Sequence, residues 1–93
     1  MNGIPEPMIN RNDNPVQWAL LIGELNEAHE HLGKLISEMT TDTTYDESHL
    51  RVDMGHIVAH LNRAWVRRNC IRDLTDEEWD AFREYPQDLR PIA

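Results

Sequence analysis

Ninety-three residues and 10.9 kDa provide for one domain. Nine Lys and Arg against seventeen Asp and Glu leave a net charge of −8, which argues against sequence-independent binding of duplex nucleic acid, a process driven by surplus cations. The 40% hydrophobic and 28% charged residues are the mix of a globular chain, and the single cysteine, Cys70, excludes an intrachain disulfide.

Residues 1–13 contain Gly3, Pro5, Pro7 and three Asn, and read as an extended arm anchored by Ile4, Met8 and Ile9. They carry neither the basic n-region nor the apolar h-region of a signal peptide. No apolar run approaches the roughly 20 residues that span a bilayer, so a cytoplasmic location without a membrane partner is expected. One helical domain should occupy residues 14–93.

Asn14 followed by Pro15 opens a helix, with a capping side chain and then a proline at the first helical position. Trp18, Leu21, Leu25, Ala28, Leu32, Leu35 and Met39 then recur at spacings of three and four, widened by Ile22 and Ile36. This predicts a long amphipathic helix over about 15–39. The polar, β-branched run Thr40-Thr41-Asp42-Thr43 should end it. Thr44 and Glu47 have capping-box spacing and should start a second helix reaching Asn69, with Leu50, Met54, Ile57, Leu61 and Ala64 as its apolar stripe. Thr75 and Glu78 form another capping box, and Leu74 and Trp79 stand at hydrophobic-staple positions. The third helix should run over 76–85, with Trp79, Phe82 and Tyr85 on one face and Pro86 stopping it. Leu89 and Ile92 remain for docking the tail. The fold class is all-α: an antiparallel helical hairpin with a short third helix.

A short loop centred near Asp42 makes facing residues sum to about 85. That register pairs Leu21 with Ala64, Leu25 with Leu61, Ala28 with Ile57 and Leu35 with Leu50, apolar against apolar throughout. Helix 2 carries a second apolar line on its far side, Val52, Ala59 and Val66, with Cys70 beyond. Its cover should be the Trp79 and Phe82 face of helix 3 or a second subunit, because so small a hairpin has a thin core.

Two polar groupings stand out. His49, Asp53, His56 and His60 share one face of helix 2, and the register sets Glu24, Glu27, His31 and Glu38 of helix 1 on the same side. Glu27, His31, Asp53 and His56, with His60 alongside, are a carboxylate–imidazole set suited to zinc, nickel, iron or manganese. Exposed Glu–His and Asp–His contacts at helical spacing give the same pattern without a metal, and no cofactor is required by the fold. His29 lies on the opposite edge, toward Val58 and Trp65, and should be half-buried. The second grouping is basic: Arg63, Arg67, Arg68 and Arg72 around Trp65, with Arg68 facing Trp18 for stacking. Such a cluster could hold a small nucleotide, or could simply neutralise acidic neighbours and a helix C-terminus.

Nucleophile elbows, phosphate loops and His-Glu-x-x-His motifs are missing, so a non-enzymatic role is expected. The Glu-rich first helix resembles helical nucleotide pyrophosphohydrolases, which hold magnesium with Glu pairs on two helices; here helix 2 supplies only Asp53. In size and layout the chain resembles phage-encoded inhibitors of bacterial defence, including anti-CRISPR proteins and cyclic-nucleotide sponges, with no shared motif. The resemblance implies a target that is another protein or a nucleotide; the surplus apolar line on helix 2 and the missing catalytic motifs lead to the expectation of a small, self-associating interaction protein.

Overall fold

The computed structural model describes residues 7–72 and 74–81, together with Leu89 and Ile92. They form three helices, α1 (Pro15–Thr41), α2 (Glu47–Arg67) and α3 (Asp76–Ala81), and no strand among the described residues. The fold is all-α, with α1 and α2 packed on each other as a hairpin. Phe82, Tyr85 and the C-terminal end expected for the third helix lie outside the described residues, as does Ile4.

Local chemistry explains where each helix starts and stops. Pro15 occupies the first position of α1, where its missing N–H is no loss. Asn14 stands at the N-cap, yet its side chain does not cap the helix; its Oδ1 accepts the Asn10 backbone N–H at 3.2 Å. Asn10 in turn accepts the N–H groups of Asn12 and Asp13 at 3.1 and 2.8 Å, so the amide side chains build the turn ahead of α1. α1 runs two residues past the expected end, and in that last turn Thr40 and Thr41 donate their hydroxyls to the carbonyls of Ile36 and Ser37 at 2.7 and 2.9 Å, which gives the polar side chains partners within the helix.

The start of α2 also corrects the sequence reading. Its N-cap is Asp46, whose carboxylate accepts the His49 N–H at 3.2 Å while the Asp46 N–H donates to His49 Nδ1 at 3.3 Å. Thr44 is held in the turn instead, donating both its N–H and its hydroxyl to Asp42 Oδ1 at 2.8 and 2.6 Å. Those two bonds keep the Asp42 carboxyl below the usual carboxylate range. α3 opens on the expected box: Thr75 N–H donates to Glu78 Oε1 at 2.8 Å, and Glu78 N–H donates to Thr75 Oγ1 at 3.2 Å.

The core consists of two small clusters. Near the turn, Ala28, Leu35 and Ile57 are buried with Tyr45 and Leu50 packed against them. At the open end Leu21 and Ala64 are buried with Ile9, and Trp18 packs on them. The register summing to about 85 is therefore the one adopted at Leu21–Ala64 and Ala28–Ile57. Between the clusters Leu25 and Leu61 are 41% and 44% exposed, so they are not the buried centre that the pairing implied. The arm closes the open end: the Ile9 N–H donates to the Arg68 carbonyl at 2.6 Å, satisfying a backbone acceptor at the end of α2. Leu89 is half-buried, whereas Ile92 is 92% exposed and docks on nothing described. No helix among the described residues is long and apolar enough to cross a membrane.

Candidate functional site

Packing α1 against α2 leaves two flanks of opposite character. On one, the antiparallel register brings Glu24, Glu27 and His31 of α1 beside His60, Arg63 and Arg67 of α2. Ligand atoms of Glu27, His31 and His60 all lie within 4.8 Å of one another. The His31 ring stacks on His60 with centroids 5.2 Å apart, and lies 5.4 Å from His56 in a tilted arrangement. Asp53 is engaged elsewhere: its Oδ2 accepts the Tyr45 hydroxyl at 2.8 Å. Burial, together with this bond to a carboxylate, pushes the Tyr45 phenol up to about 12. Four of the five residues expected on this flank thus come together, and the fifth is turned into the hairpin turn.

Beneath the imidazoles lies Glu24, whose side chain is 12% exposed. Its Oε1 sits 2.8 Å from His60 Nδ1, and Arg63 Nε donates to both of its oxygens at 3.1 and 3.0 Å. Arg63 Nη2 also comes within 2.7 Å of His60 Nδ1, and Arg67 Nε lies 3.7 Å from Glu24 Oε2. One carboxylate therefore gathers an imidazole and two guanidinium groups. Sequence reasoning set Glu24 beside the histidines; its central place follows from its inward position one turn from Leu21 and Ala28.

The basic grouping is divided among internal contacts. Arg63 and Arg67 face Glu24, and Arg63 also lies over the Trp79 ring at 5.4 Å. Arg68 stacks on Trp65 at 3.8 Å and donates to its carbonyl at 2.8 Å, in place of the expected contact with Trp18. Arg72 forms a two-pronged pair with Glu78 at 2.8 and 3.0 Å, which draws the Glu78 carboxyl down to about 2 and raises the Arg72 guanidinium. Among the described residues, Glu24 thus engages Arg63 and Arg67, and Glu78 engages Arg72.

The other flank is apolar. Ile22, Leu25, Leu32, Ile36 and Met39 follow one another at alternating spacings of three and four along α1, with His29 filling the remaining step, and the five apolar residues are 39–57% exposed. His29 is itself exposed, contrary to the half-buried place expected for it. On α2 the same side carries Met54 and Leu61, both exposed, and half-buried Val58 and Trp65. An open groove of about 330 Å³ lies there among Met8, Leu25, Val58, Leu61, Trp65 and Leu89. The line expected to be surplus, Val52, Ala59 and Val66, is less continuous: Val52 is exposed, while Ala59 and Val66 are half-buried, the latter beside Ile71 and Glu78. No known protein family, curated protein or solved structure matches this chain.

Proposed function

We propose that this protein is a non-enzymatic interaction module that acts as a homodimer, two hairpins closing through their apolar flanks into a four-helix bundle. The observation that carries this reading is the exposed seam on α1, Ile22, Leu25, His29, Leu32, Ile36 and Met39, which has the heptad spacing of a helix that packs on another helix. A continuous apolar seam of this length differs from scattered surface hydrophobics and is costly to leave in water.

A second copy suits the seam because the pattern is self-complementary. When two α1 helices meet antiparallel, Ile22 falls opposite Met39, Leu25 opposite Ile36 and His29 opposite Leu32, and a two-fold axis repeats each pair. A polar residue inside an otherwise apolar seam fixes register, which is the part given to His29. Met54 and Leu61 of α2 lie on the same side and would join the bundle core. The −8 charge of each chain then lies on the outside of the dimer, a surface suited to a basic protein partner.

Sedimentation equilibrium tests the reading directly. The wild-type chain is expected at twice 10.9 kDa. Leu32→Glu combined with Ile36→Glu should weaken dimerisation at least about 100-fold, roughly 3 kcal/mol, with helical circular dichroism retained because Leu21, Leu35, Ile57 and Ala64 are untouched. A wild-type chain that stays monomeric up to hundreds of micromolar would remove the proposal.

A further inference from the structure

We propose that the polar flank is a divalent metal site of zinc-type chemistry, with Glu27, His31 and His60 as its protein ligands. It does not rest on self-association, since all three residues belong to one hairpin and lie away from the apolar seam.

The geometry is that of a set one small adjustment from closing on an ion. Glu27 and His31 are four residues apart on α1 and so share a face, and His60 reaches across from α2. Their donor atoms already lie within 4.8 Å of one another. Around a tetrahedral ion with bonds of about 2.0–2.1 Å, neighbouring donors stand about 3.3 Å apart. Rotamer changes in three half-buried or exposed side chains cover that difference without moving either helix. Two imidazoles and one carboxylate leave a fourth position, which His56 borders from beside the His31 ring. Imidazole with carboxylate and no thiolate selects zinc-class ions over soft ones.

The shell behind the ligands is a second, independent observation. A metal-bound histidine normally donates its other ring N–H to a carboxylate, which fixes the tautomer and the ring plane. His60 has such a partner in place, Glu24 at 2.8 Å from Nδ1, and Glu24 is itself held by two bonds from Arg63. The 2.7 Å approach of Arg63 Nη2 to the same nitrogen suits the opposite tautomer. A metal on Nε2 places the proton on Nδ1, directs it to Glu24, and leaves Arg63 to its carboxylate bonds. Glu24 is a positioning residue here and not a ligand.

The test titrates tag-free full-length protein with zinc chloride, read by calorimetry and thermal melting, and with cobalt(II), read by its visible d–d bands. One equivalent per hairpin, a raised melting temperature and four-coordinate cobalt bands are expected. His31→Ala and His60→Ala should each abolish all three signals. Glu24→Gln should weaken binding about 10–100-fold while the cobalt bands, at saturation, keep their form. His29→Ala and His49→Ala should bind like wild type. Circular dichroism of each metal-free variant distinguishes loss of the site from loss of the fold, and zinc binding by the Leu32→Glu, Ile36→Glu chain separates this site from the dimer. Absence of a melting shift and of cobalt bands in wild type overturns the proposal. So does a metal signal that survives His31→Ala and His60→Ala, or one that vanishes with His49→Ala.

Discussion

Glu24 and Glu78 show how a single carboxylate organises its surroundings in this protein. Glu24 lies under the imidazoles and takes the charge of two arginines at a place where all the partners are largely shielded from water. Removing it would take from Arg63 and Arg67 the carboxylate they share, a more costly change at this depth than loss of an exposed pair. Glu78 instead ties a helix start to the segment before it, accepting from both Arg72 nitrogens and from the Thr75 N–H. The Arg72 bonds are the larger cause of its depressed pKa, the Thr75 N–H the next. A carboxyl that titrates at about 2 when folded and at about 4.5 when unfolded favours the folded form above that window, and its contribution fades as the pH falls from 4.5 to 2. An NMR titration of the Glu78 side chain should place its midpoint near 2, and Arg72→Ala should return it toward 4.5. A midpoint that ignores Arg72→Ala would show that the helix cap alone sets it. The Thr75–Glu78 half of this arrangement is legible in four consecutive residues. The Arg72 half is not, because it depends on how the chain turns between Cys70 and Thr75.

At the level of elements, the start of α2 separates local rules from tertiary ones. The stretch Thr44-Tyr45-Asp46-Glu47-Ser48-His49 offers two overlapping caps, Thr44 with Glu47 and Asp46 with His49. Sequence rules favour the first, since Glu is the usual third partner. Tyr45 accounts for the second. Its ring packs on Ala28, Leu35 and Ile57, its hydroxyl reaches Asp53, and its backbone N–H donates to Asp42 at 3.2 Å, so the chain is still turning at position 45. The helix can start only after it. Asp46→Ala should therefore cost about 1 kcal/mol in urea unfolding, and Thr44→Ala less than half as much; the reverse order would restore the earlier cap. The apolar period predicted both long helices well because each is long and strongly patterned. The ends shifted where threonine hydroxyls found partners within the helix and where a packed tyrosine overrode propensity.

The molecule as a whole is elongated, with a radius of gyration of 15.7 Å against about 12 Å for a compact chain of this length. It exposes 7363 Å², where a compact monomer of its mass exposes about 5,600 Å². Two helices can bury only the strip between them, which is why a register legible from the sequence still misjudged Leu25 and Leu61. Both lie opposite apolar partners, yet beside the strip and not within it. The same reasoning made the polar flank legible, since Glu27, His31, His56 and His60 sit at fixed angles from that strip. Asp53 escaped it because Tyr45, a turn residue, has no helical periodicity to read. The bond between Ile9 and Arg68 carries a consequence in time. Contacts at the turn join residues close in sequence and close early, whereas this clasp joins the start of the chain to the far end of α2 and can form only once the hairpin is zipped. Stopped-flow folding of Ile9→Ala should leave the refolding rate close to wild type and speed unfolding, and the Ile9 amide should exchange with solvent before those of Leu35 and Ile57. The hairpin would then open from the arm end, with the turn around Tyr45 the last part to let go.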